Sequence, residues 1–120
     1  MIHLIREPAT PQQITEMLEA LDTYIKLAVD IEREVLAGGG ILHSDCETVL
    51  LEDGSRQEDI WGVDWISSPQ AEGHISGGKV RFEALINIRP KQKNFTMEIQ
   101  NPKIRDRVEA IVRRLLAGMQ

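Results

Sequence analysis

"TYIKLAVDIEREVLAGGG", Thr23 to Gly40, is the stretch on which the fold turns. Ile25, Leu27, Val29 and Ile31 alternate with Lys26, Ala28, Asp30 and Glu32, and the β-branched share rises from Tyr24 onward. A period of two with that composition predicts a strand over about Tyr24 to Leu36. The rival is one helix from Pro11 to Ala37, on which Leu21, Ile25, Ala28 and Val35 have helical spacing. Such a helix is long for a domain of this size, so the strand is preferred. Gly38, Gly39 and Gly40 then read as a flexible connection, glycine being the usual residue where a chain leaves an element and turns.

Upstream, "IHLIRE" is short and β-leaning. "PATPQQITEMLEALD" places Thr10 as an N-cap and Pro11 at the first helical position, with Ile14, Met17, Leu18 and Leu21 on one face. Downstream, "SDCE" has the form of a capping box, Ser44 accepting from the Glu47 N–H and the Glu47 carboxylate reaching back. Asp45 and Glu47 then suit the positive end of the helix dipole, Cys46, Val49 and Leu50 form a short apolar face, and Gly54 sits at the left-handed C′ position. A strand from Cys46 to Glu52 turning at Asp53–Gly54 is the alternative; matching signals at both ends favour the helix.

"DIWGVDWI" and "VRFEALINI" both alternate and predict strands, separated by a glycine-rich polar loop over 67–78. Pro90 ends the second, "KQKN" is a basic loop and "FTMEIQ" a short extended run. Asn101 and Pro102 open a last helix, lined by Ile104, Val108, Ile111, Val112, Leu115 and Leu116 and stopped by Gly118. The expectation is a single α+β domain over 1–120, in the order β-α-β-α-β-β-α. Its sheet is mixed or mainly antiparallel, with helices on one face.

At 120 residues, with 42% hydrophobic and 28% charged residues, the chain is long enough for one core and close to ordinary globular composition. It lacks a secretory signal and any apolar run of about 20 residues, so a cytoplasmic protein with no membrane association is expected. One cysteine, Cys46, excludes an internal disulfide and a Cys-rich zinc site. The net charge of −5 is unevenly spread: 1–78 holds 4 Lys/Arg against 15 Asp/Glu, a net of −11, and 79–120 holds 10 against 4, a net of +6. The halves can pack together, pair copies into a homodimer, or offer a basic face to an acidic protein or a nucleic acid.

No complete catalytic constellation is present. The glycines lack the Gly-Lys-Ser/Thr of a Walker loop, and His43 stands where a dinucleotide fingerprint needs its third glycine. Cys46 is flanked by two acids that oppose a thiolate, and Ser44 has no Gly-x-Ser-x-Gly elbow. His43 and Asp45, with Asp59 or Asp64 brought across from the tryptophan strand, are metal candidates without a forcing spacing. Arg81, Arg89, Lys91 and Lys93, with Lys103, Arg105 and Arg107, are the candidate anion-binding surface. Phe95 is the sole aromatic among them, so base stacking is poorly supported and a solvated charged face is favoured. Trp61 and Trp65, two apart, belong to the core unless exposed, when they would mark a subunit interface.

With "LAVDIEREVLAGGGILHSDCETVLLEDGSRQEDIWGVDW" and "FEALINIRP…MEIQNPKIRDRV", the chain resembles a family of small uncharacterised bacterial and archaeal proteins, a domain of unknown function. The likeness covers most of the chain and rests on Gly39–Gly40, His43, Asp45, Glu47, Gly54–Ser55, Asp59–Trp61–Gly62 and Ile86–Asn87–Ile88–Arg89–Pro90. It implies no activity, but it raises His43, Asp45, Asp59 and Arg89 as catalytic candidates. Three functions follow in order: a non-catalytic binding or regulatory homodimer without cofactor; a small hydrolase of a phosphate-containing substrate; and a nucleic-acid-binding module. In the hydrolase His43 is acid/base, Asp45 or Asp59 orients it or binds metal, and Arg89 stabilises charge.

Overall fold

In the computed structural model, which describes residues 1–66 and 78–117, Tyr24 to Gly40 is a hairpin of two strands, β2 (Tyr24–Asp30) and β3 (Val35–Gly40). The expected single strand to Leu36 is corrected at Asp30. Its Oδ1 accepts from the Glu32 and Arg33 N–H groups, each at 2.9 Å, and Glu34 takes a left-handed φ of 57°. Side-chain hydrogen bonding of this kind offers the backbone a turn in place of a ladder. The three consecutive charges Glu32, Arg33 and Glu34 are turn residues, and the apolar alternation resumes beyond them in a new strand.

The triple glycine is buried strand, not connection. Gly38 faces Leu27 and Gly40 faces Lys26, so Gly39 is the extra residue of a bulge, with φ of 104°. A Cβ on Gly39 would collide with the Met1 carbonyl and touch the Met17 backbone, and one on Gly38 would lie 2.5 Å from Leu27 Cδ2. Glycine is required because the N-terminal segment and the first helix lie directly on β3.

The other elements are β1 (His3–Ile5), α1 (Pro11–Leu18), α2 (His43–Glu52), β4 (Ile60–Ile66), β5 (Lys79–Arg81) and α3 (Pro102–Val112), continued by a π turn over Arg113–Ala117. The five strands form one antiparallel sheet in the order β1-β3-β2-β4-β5. The fold is α+β, with one strand more than expected: the order is β-α-β-β-α-β-β-α. Thr10 and Gln13 form the reciprocal cap of α1, and Asn101 accepts from the Lys103 N–H at 2.9 Å to start α3. Gly54, φ 103°, follows α2 as its left-handed C′ residue. The cap of α2 differs from expectation: Leu42 holds the N-cap position, Asp45 accepts from its N–H at 3.3 Å, and Ser44 lies inside the helix. Gly118 and residues 67–77 lie outside the described residues.

Helices pack on both faces of the sheet, not one. Ile25, Leu27 and Val29 point with Leu36, Val63 and Trp61 toward α1 and α3, where Met17, Val108, Ile111 and Val112 close the larger core. Ala28, Ala37 and Ile60 point the other way, against Cys46 and Leu50 of α2. Burial of each large side chain in the first core is worth about 1.5–3 kcal/mol. Both tryptophans lie in it, Trp61 only 1% exposed, so the pair is packing and not an exposed interface.

"VRFEALINI" leaves the sheet after Arg81. Glu83 makes only an isolated bridge to Glu98, and Leu85–Asn87 is a 3₁₀ turn. The Asn87 amide takes over the pairing: Oδ1 accepts from the Gly62 N–H at 2.7 Å, and Nδ2 donates to the carbonyls of Gly62 (2.8 Å) and Met97 (3.0 Å). A buried side-chain amide thus satisfies the edge of β4 where a continued β5 would have done so.

Candidate functional site

Strand register sets three charges in a row. Lys26 on β2 lies opposite Asp64 on β4, and Asp64 lies opposite Arg81 on β5. The alternation that sends Leu27 and Val63 into the larger core sends Lys26 and Asp64 to the α2 side. Gly62, two residues before Asp64, leaves room there: a Cβ on it would lie 2.6 Å from the Ala84 Cβ.

His43, the first residue of α2, reaches the centre of this row. Its Nε2 is 2.8 Å from Asp64 Oδ1 and 3.0 Å from the Val63 carbonyl oxygen. With two acceptors facing Nε2, that nitrogen carries the hydrogen, and neutral His43 has its acceptor lone pair on Nδ1. Arg81 Nε and Nη2 each lie 2.8 Å from Asp64 Oδ2. The Asp64 side chain is 4% exposed, so one buried carboxylate fixes both a half-exposed guanidinium and an imidazole. The Arg81 guanidinium also stacks over Tyr24, 5.3 Å from the ring centre. The arrangement borders an open cleft of about 640 Å³, with Lys26, His43, Ser44, Asp64, Arg81 and Glu83 as its polar lining.

Of the four catalytic candidates, only His43 lies in this cleft. Asp45 is occupied as the N-terminal cap of α2. Asp59 ends the 3₁₀ turn Gln57–Asp59, where burial, and then the nearby Asp30 charge, raises its carboxyl above the usual range. Arg89 is a strut: Nε donates to the Ile86 carbonyl at 3.0 Å, Nη2 donates to the Ile60 carbonyl, and the guanidinium stacks 4.8 Å from the Trp61 ring centre. Glu47 faces it at 3.7 Å, and burial lowers the Arg89 guanidinium from its ordinary value.

The proposed anion-binding set divides likewise. Arg81 lines the cleft, Arg89 is internal, Lys91 borders a depression with Glu47 and Glu58, and Lys93 borders another with Lys103. Among the described residues no three His, Cys, Asp or Glu side chains gather as a metal site, and Asp45 does not join His43 in one. Cys46 is fully buried and burial pushes its thiol up to about 11.

Lys26 was missed as a candidate, and Asp64 appeared only as an accessory ligand. The available signal was a charged residue on the polar side of each of two alternating runs, Lys26 in one and Asp64 in the other. What placed them side by side was the β2–β4 register.

A family model described as a protein of unknown function, DUF5674, matches residues 3–115, from β1 to the π turn after α3. The chain belongs to that family. Several stretches on which the likeness rests now have structural tasks: Gly39 in the bulge, Asn87 in the amide bridge, Arg89 in the strut. No curated protein and no solved structure matches the chain. Among the described residues no helix is long and apolar enough to cross a membrane.

Proposed function

We propose that the protein is a binding module for a small acidic ligand, a carboxylate or a phosphate ester, taken up in the cleft between α2 and β5. The observation that carries this reading is the placing of two cations, Lys26 and Arg81, at register positions on either side of one buried carboxylate, Asp64, which binds Arg81 and orients His43. Asp64 offsets the charge of Arg81 and holds its guanidinium in place, so little entropy of that side chain is lost on binding. Leu42, His43 and Ser44 bring the N-terminal end of α2 to the same cleft, and its dipole favours an anion there. Calorimetric titration with acetate and with inorganic phosphate tests it. Saturable binding that weakens at least about tenfold in Arg81→Ala supports the reading, that factor being ~1.4 kcal/mol for one charge-assisted contact. Absence of binding, or binding indifferent to Arg81, overturns it.

The hydrolase reading keeps one observation in its favour: the 2.8 Å contact by which Asp64 orients His43, as a carboxylate orients a general base. It predicts turnover of p-nitrophenyl phosphate that is lost in His43→Ala. Equal, background-level release by both proteins removes it.

A further inference from the structure

Resting on the acidic-ligand reading, we infer that the ligand is amphipathic: a small acid carrying an alkyl or aryl group that lies along the apolar wall of the same cleft. That wall is Leu42, Leu85, Ile86 and Met97, which line the same cleft as Lys26, His43 and Arg81. Leu85 is 72% exposed, and Leu42 and Met97 are about half exposed, at 53% and 40%. Exposed large apolar side chains scattered singly are ordinary, but three on the rim of one cleft form a patch of the kind that marks a binding groove.

The exposure of Leu85 is built into the fold. Its 3₁₀ turn is fixed by Asn87, whose side chain is bonded to both backbone groups of Gly62 and to the Met97 carbonyl. Those bonds anchor the turn to β4 and join it to the segment that carries Met97. The two rim residues are therefore held at a set spacing beside the cationic end. A ligand with a negative head and an apolar body satisfies both sides at once. A bare inorganic anion leaves the wall in water, and a wholly apolar ligand leaves the donors of Lys26 and the outer edge of the Arg81 guanidinium without a ligand partner.

The test is titration of the full chain with acetate, octanoate below its micellar concentration, and octanol, repeated on Leu85→Ser and Met97→Ser. Both changes are at exposed positions, and thermal unfolding confirms that the variants are folded. Octanoate is expected to bind about 50-fold more tightly than acetate, corresponding to roughly three methylene groups withdrawn from water. The serine variants should lose most of that advantage while leaving acetate affinity unchanged. Equal affinity for acetate and octanoate overturns the amphipathic ligand but leaves the acid site standing. Failure of every acid, inorganic phosphate included, overturns the acid site itself. Octanol binding as tightly as octanoate overturns the role given to the cationic end. A dimer that Leu85→Ser dissociates, with no preference for octanoate, assigns the wall to a second copy of the chain and overturns the inference.

Discussion

The two faces of the sheet are made by the same strands and do different work. Toward α1 and α3 the strands present Ile25, Leu27, Val29, Trp61, Val63 and Trp65, large and fully or nearly fully buried. Toward α2 they present Lys26, Ala28, Asp30, Ile60, Gly62 and Asp64, which are small or charged apart from Ile60. Small residues let α2 and the Leu85–Asn87 turn approach closely, and two of the charges, Lys26 and Asp64, line a cleft. A period of two lets one strand carry the stabilising core on one side and a polar site on the other. The cost of each side should therefore be separable by substitution.

The largest effect belongs to the core face. Trp61→Ala should lower stability by about 3–5 kcal/mol, the usual range for emptying a buried aromatic site, and chemical denaturation measures it. A change below ~1 kcal/mol would mean that the core has collapsed around the gap and that the faces are less distinct than described. Next is Gly39→Ala, which forces a Cβ into a left-handed bulge beneath the Met1 carbonyl. Its cost should be roughly 2–3 kcal/mol, backbone strain plus displacement of the N-terminal segment. Arg81→Ala should cost only about 1–2 kcal/mol in stability, since water can reach part of the Asp64 carboxylate once the guanidinium is gone. Its larger effect should be on acid binding, the reverse of Trp61→Ala.

Two titratable groups sharpen the same contrast. The Cys46 thiol has its value raised by burial from 9.0 to about 11. A group raised on folding stabilises fully below its unfolded value, so this contribution is present up to about pH 9 and is lost as pH rises through the folded value. Native protein should resist thiol reagents at pH 8, and rapid labelling would show that α2 opens. Asp53 gives the smallest effect. Hydrogen bonds from Arg6, and then from Arg33, hold its carboxyl below the usual range. That contribution is present above the ordinary Asp value and is lost as pH falls through the depressed one. Asp53→Asn should slightly flatten the acid side of the stability curve without moving acid affinity.

Much of the helical frame is legible in local signals. Thr10–Pro11, Asn101–Pro102 and Gly54 mark helix ends because the groups that satisfy the end are neighbours in the chain. The hairpin at Ile31–Glu34 was hidden because its turn is made by the Asp30 carboxylate, in a run whose apolar spacing suited one strand. The glycines were misread for a related reason: the need for Gly39 comes from Met1 and Met17 and that for Gly38 from Leu27, all distant in sequence. The strand expected through Ile88 was displaced by one side chain, Asn87, bonding across 25 residues. The site shows the same limit. His43 stood out by its type and position, whereas its partners are set by antiparallel register, a property of pairing between strands.

The most direct test of the account is a map of backbone amide shifts as acetate is added to isotope-labelled protein. The account predicts saturable shifts concentrated at Lys26, His43, Ser44, Asp64 and Arg81, absent in Arg81→Ala, with the α1 and α3 face unmoved. Shifts centred on Lys91, Lys93 and Lys103, or no saturable shift at all, would contradict it.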